Sequence, residues 1–124
     1  MGYNFIEDIP IYLQIIEHIK MQIINKKYLP KQKLPSVREL SLELNVNPNT
    51  VQKALLELEK LGLIFTERTN GKFVTENIKL IEDTKKETIC KMINEFCESM
   101  KKLGIEDKQI FQIIIDERSK KWKY

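Results

Sequence analysis

Apolar residues recur along this chain at two spacings, and the switches between them divide it. Between positions 10 and 26, Tyr12, Ile15, Ile16, Ile19 and Ile23 fall at helical intervals behind Pro10, a residue tolerated in a first turn. Pro30 and Pro35 then bracket a short extended stretch around Leu34. The "SVRE" at 36–39 has the form of a capping box, in which Ser36 and Glu39 satisfy each other's backbone N–H. It predicts a short second helix with Val37, Leu40 and Leu44 inward, ending near Asn45. Asn47 is placed to cap a third helix with Pro48 at its first position. That helix has an inward stripe of Val51, Ala54, Leu55, Leu58 and Leu61, and Gly62 supplies a left-handed stop.

The period then shortens. "LIFTERTNGKFVTE" reads as two β-rich runs, 63–67 and 72–76, joined around Asn70-Gly71. From Ile78 the helical period returns, with Ile81, Ile89, Met92, Ile93, Phe96, Met100 and Leu103 marking one long helix closed by Gly104. A last helix, about 106–121, carries Ile110, Phe111, Ile113, Ile114 and Ile115. The expected architecture is mainly α with a small β-hairpin: a winged helix-turn-helix domain over 1–76 and a C-terminal two-helix dimerisation hairpin over 77–124. Two such helices cannot bury both apolar faces alone. The surplus is expected to be covered by a second copy, the alternative being that the hairpin folds back onto the first domain.

Composition narrows the function classes without choosing one. Hydrophobic content of 42% and charged content of 31% suit a folded domain, and a net charge of +3 says little about partners. Charge placement says more. From His18 to Arg38 there is no acid, while Lys20, Lys26, Lys27, Lys31, Lys33 and Arg38 are all basic. Cys90 and Cys97 match neither a redox pair nor a zinc knuckle, and read as buried reduced thiols on one helix face. His18 is the only histidine, so a zinc site or a Ser/His/Asp arrangement has no basis. The pairs Glu57/Glu59 and Asp116/Glu117 do not converge on a helix and read as surface charges. No catalytic role and no cofactor is expected. The start "MGYNFI" resembles neither a signal peptide nor a myristoylation site, and no segment approaches transmembrane length, so a cytoplasmic protein is expected. The basic end "RSKKWKY" reads as a solvated terminus.

The function-bearing cluster lies at the start of the third helix, where Asn47, Asn49, Thr50, Gln52 and Lys53 crowd while Val51, Ala54 and Leu55 point inward. In a helix-turn-helix, the N-terminal residues of the second helix touch base edges in the major groove. Asn and Gln pair with adenine in bidentate fashion, Thr meets phosphate or a thymine methyl, and the helix N-terminus itself favours phosphate. Asn47 needs no explanation beyond capping; Asn49, Gln52 and Lys53 do.

The stretch "KLPSVRELSLELNVNPNTVQKALLELEKLGLIFTERTNGKFV", positions 33–74, closely resembles the DNA-binding domain of GntR-family bacterial repressors. With "IPIYLQIIEHIKMQII" before it, the resemblance covers about 9–76, and the "NPNTV" form and short remainder look like the YtrA-like subfamily. The resemblance implies a winged-helix homodimer on a pseudo-palindromic double-stranded DNA operator, acting as a repressor, in a subfamily whose targets often encode ABC transporters. It implies phosphate or base contacts for Ser36 and Arg38, and a major-groove position for Asn47, Asn49, Thr50 and Lys53. It assigns Arg68 to Lys72 to the minor groove. The wing departs from the family pattern: Thr69 replaces a glycine, Asn70 a basic residue, and Glu67 stands where a neutral or positive residue is common. A small hydrophobic or cationic effector has room only between the tail helices of a dimer. The competing class is a winged-helix module that binds protein. A polar helix tip without an aromatic or aliphatic anchor before Leu56 argues against it.

Overall fold

Each expected helix forms, and its limits follow from the residues at its ends. The computed structural model describes residues 4–122, apart from the side chain of Trp122. The expectations for the first three residues and for the end of the basic terminus therefore lie partly outside the described residues. Helix α1 (Ile11–Ile24) starts behind Pro10, and α2 (Val37–Leu44) behind Ser36. The capping box is complete: the Glu39 N–H donates to Ser36 Oγ at 3.0 Å and the Ser36 N–H donates to Glu39 Oε1 at 2.8 Å. Asn45 ends α2 in the left-handed region at φ 57°. Asn tolerates that region better than most residues. Asn47 then opens α3 (Pro48–Lys60), its Oδ1 accepting the Asn49 N–H at 2.8 Å.

Gly62 stops α3 at φ +81°, with the Leu63 N–H on the Leu58 carbonyl and the Gly62 N–H on that of Glu59. This is the Schellman pattern, which satisfies carbonyls that the helix leaves open. Strands β1 (Ile64–Glu67) and β2 (Gly71–Val74) follow, antiparallel, with Phe65 opposite Phe73 and Glu67 opposite Gly71. The turn holds three residues, Arg68 to Asn70, because the Asn70 N–H closes onto the Glu67 carbonyl and Gly71, at φ +105°, takes the positive-φ position. A type I turn followed by a positive-φ glycine has this form. Gly71 therefore sits inside β2 and not in the turn itself.

The core lies between α1, α2, α3 and the base of the hairpin. Ile15, Ile19, Val51, Ala54, Leu55, Leu58 and Val74 are at most 1% exposed. Burying one such Leu, Ile or Val contributes about 1.5–3 kcal/mol. The stretch bracketed by Pro30 and Pro35 also docks on β2. The Lys31 N–H donates to the Val74 carbonyl, Val74 to Gln32, and Leu34 to Lys72, so the wing is joined to the segment before α2. Gln14, a buried polar side chain on α1, holds the chain before the helix, accepting from the Ile6 N–H and donating to the Ile6 and Ile9 carbonyls, each at 2.8 Å.

Helix α4 (Ile78–Lys102) is capped by Asn77, whose Oδ1 accepts the Leu80 N–H at 3.1 Å, a cap not anticipated from the sequence. Gly104 closes it with a second Schellman pattern, and α5 (Asp107–Trp122) follows. The chain divides into two compact units, the first ending at Thr84 and the second beginning at Lys85. In the first unit, Ile81 and Thr84 are the buried residues of α4. In the second, Ile89, Met92, Ile93 and Phe96 are all 44% exposed or more, as are Phe111 and Ile115. The expectation that these helices cannot cover their own apolar faces holds. Burial of the thiols does not: Cys90 is exposed and Cys97 half-exposed.

Candidate nucleic-acid interface

The start of α3 carries a row of polar side chains with little to do inside the protein. Asn47, Asn49, Gln52 and Lys53 are exposed and Thr50 is half-exposed. Asn47 is spent on the cap; the side chains of Asn49 and Gln52 form no hydrogen bond among the described residues. Their presentation follows from the opposite face: Val51, Ala54, Leu55 and Leu58 are buried, so the remaining positions of the first turns must face outward.

A groove of about 390 Å³ runs between the start of α2 and the wing, and it brings Ser36 together with Arg68 and Lys72. Lys33 lies on its wall beside Gly71, whose φ of +105° favours glycine there. Arg38 and Arg68 are exposed and have no carboxylate partner among the described residues. The Ser36 hydroxyl is engaged in the capping box. Hydrogen bonds from the Ser36 backbone and hydroxyl hold the Glu39 carboxyl below its ordinary range.

Lys72 behaves differently from the other basic residues of this face. Its ammonium lies 3.1 Å from Glu59 Oε1 and 2.9 Å from Thr66 Oγ1, while Thr66 Oγ1 donates to Glu59 Oε2 at 3.0 Å. This closed triangle ties the end of α3 to both strands of the wing. Glu59 is therefore not the plain surface charge that its spacing suggested. Lys53 also has a partner, but an uncharged one: its ammonium stands 3.9 Å from the centre of the Tyr12 ring, at the start of α1.

Sequence reasoning missed Tyr12, Glu59 and Thr66 as parts of this face. Glu59 and Lys72 are thirteen positions apart and meet only because the hairpin folds back along α3. The acid-free basic stretch is less concentrated here than its sequence implies. Lys20 pairs with Glu17 at 3.0 Å and Lys31 with Glu76 at 3.7 Å. His18, in the same stretch, is half-buried between α1 and its surroundings. Burial pushes its imidazole below the ordinary value and Lys27 adds to that, against an opposing pull from Glu43.

The model of the gntR family of bacterial regulatory proteins matches residues 11–74, from the first helix to the last wing strand. The chain belongs to this family. It is similar to the uncharacterized HTH-type transcriptional regulator YhcF of Bacillus subtilis, 36% identical over 112 residues, which cover 90% of this chain and 93% of that one. It is 49% identical over 70 residues to the HTH-type transcriptional repressor YtrA of the same organism, 56% of this chain and 54% of that protein. Among solved structures, a GntR family transcriptional regulator from Listeria monocytogenes superposes with a TM-score of 0.84 at 38% identity, covering 90% of this chain and 98% of that one. The DNA-binding domain of AraR in complex with its operator ORR3 aligns at a TM-score of 0.53 and 35% identity, over 60% of this chain and 88% of that domain. As a GntR-family member with a winged helix-turn-helix and two further C-terminal helices, the chain is a transcriptional regulator with a DNA-binding domain, and not an enzyme. Among its described residues no helix is long and apolar enough to cross a membrane.

Proposed function

We propose that this regulator is a repressor that binds a pseudo-palindromic operator as a homodimer, with α3 in the major groove. The observation that carries this is the unspent polar end of α3. Asn49 and Gln52 are hydrogen-bonding side chains held outward by a fully buried opposite face, at the positive end of a helix. In this reading Asn49, Thr50 and Gln52 meet base edges, and Asn47 sits beside them as the cap. Ser36, Arg38, Lys53 and Arg68 meet phosphate, and Lys72 lies at the wing base. Repression is supported by the similarity to YtrA, a repressor, over 70 residues. The exposed apolar residues of the second unit support a second copy as the partner that covers them. A dimer places its two recognition helices about 34 Å apart, one turn of B-DNA. The subfamily resemblance makes a transporter operon the expected target.

The test is selection of bound duplexes from a random pool, followed by affinity measurement on the selected duplex from ~50 to ~200 mM salt. Neutralising several phosphates per dimer makes binding fall by about 10³-fold or more over that range. Failure to enrich a two-fold sequence, or a flat salt response, overturns the reading.

A further inference from the structure

We propose that Tyr12 is a positioning residue for DNA binding, its ring holding the Lys53 ammonium at the reading end of α3 without cancelling the charge. The inference rests on the DNA-binding reading above and adds a residue from outside the helix-turn-helix to it.

Two lysines of the same face are held in different ways. Lys72 is held by a carboxylate, so its charge is largely spent on Glu59 before any phosphate arrives. Lys53 is held by an aromatic face at 3.9 Å, which attracts a cation through its quadrupole and leaves the net charge intact. An ammonium has three donors, and one ring face does not occupy them all. A free lysine on a helix surface loses side-chain freedom when it binds phosphate. A lysine already resting on a ring has lost part of it beforehand.

The ring itself is well anchored. Tyr12 is half-buried in the first turn of α1 and packs against the core, next to Ile15 and Ile16. Its backbone is further constrained by Gln14, which pins the preceding segment to the same turn. Lys53 lies one turn along α3 from Asn49 and adjacent to Gln52. The contact therefore sets where a positive charge stands relative to the residues assigned to base reading.

Four variants separate this role from a structural one: Tyr12→Phe, Tyr12→Leu, Lys53→Gln and the double variant Tyr12→Leu/Lys53→Gln. Binding is measured on a labelled duplex selected by the wild-type chain, across a salt series. Tyr12→Phe keeps the ring and should bind as the wild type. Tyr12→Leu should lose about two- to fivefold per subunit with the salt slope unchanged. Lys53→Gln should lower the slope by about 0.9 per subunit. In the Lys53→Gln background, Tyr12→Leu should cost nothing further.

A second measurement does not depend on DNA or on variant folding. In the free wild-type protein, ring-current shielding should move the Lys53 ε-methylene protons upfield. Unshifted protons overturn the proposal. So does a Tyr12→Leu variant that binds as the wild type, one that loses as much with Lys53 absent, or a Tyr12→Phe variant as weak as Tyr12→Leu. A wild-type chain that binds no duplex fails the DNA reading itself, and the shielding experiment then still reports on the contact.

Discussion

At the scale of single residues, the face around α3 separates groups that are free to act from groups already engaged. Asn49 has no internal side-chain partner, so removing it should leave the fold intact and change which sequences are preferred. Asn49→Ala is expected to cost about 1–3 kcal/mol on sequences that use its base contact and little elsewhere. Arg38→Ala should weaken binding to all sequences about equally and lower the salt slope by about 1 per subunit. Competition binding against a panel of single-base operator variants checks both; identical profiles for the two would sink the division between reading and positioning. Lys72 should show the opposite balance. Its pair with Glu59 is partly exposed, so Lys72→Met is expected to cost no more than about 1 kcal/mol of stability, read by urea denaturation. Because its charge is already spent, the same variant should change the salt slope less than Arg38→Ala does.

At the scale of elements, the ends of α2 and α3 govern the geometry of the face. The capping box fixes the start of α2 beside the wing, so Ser36 is engaged in the fold whatever else it touches. Ser36→Ala should destabilise the protein by about 1 kcal/mol at neutral pH. The pH dependence has a definite sign. The Glu39 carboxyl is held below its ordinary value of 4.5 in the folded chain, so its contribution is fully present above that value. It is lost as pH falls through the lower folded value. The gap between wild type and Glu39→Gln should therefore narrow on acidification below 4.5, measured by denaturation at each pH. A gap that widened on acidification would show that Glu39 is not stabilised by this cap. The wing behaves as an element with two anchors, the Glu59–Thr66–Lys72 triangle and the backbone bonds from Lys31 to Leu34. Both anchors lie below the tip and do not involve the side chains of Thr69 or Asn70.

At the scale of the whole molecule, the second unit poses a burial problem that one chain does not solve. Ile93 and Phe96 are 53% and 44% exposed on α4, and Phe111 is 77% exposed on α5. These exposed apolar residues are the ones the proposed second copy would cover. Phe96→Asp or Ile93→Asp should shift sedimentation from dimer to monomer and reduce operator affinity by orders of magnitude, while a monomeric domain keeps its helical circular dichroism. A wild-type chain that sediments as a monomer at tens of micromolar would remove the dimer from the account.

The helices, the caps at Ser36 and Asn47, the stops at Gly62 and Gly104, the hairpin and the outward row on α3 were legible in the sequence. Each depends on neighbours within about four positions, and local propensity and periodicity report such neighbours directly. The family resemblance rested on the same local signals, arranged in order. The pairings between distant positions came from the packing of elements: Lys53 with Tyr12, Lys72 with Glu59, and Gln32 with Val74. Those pairings depend on how helices cross and how a hairpin lies on them, and no spacing along the chain encodes that. Burial of the thiols failed for a related reason. A helix stripe shows which face is apolar, but a covering layer exists only where another element, or another chain, is brought to it.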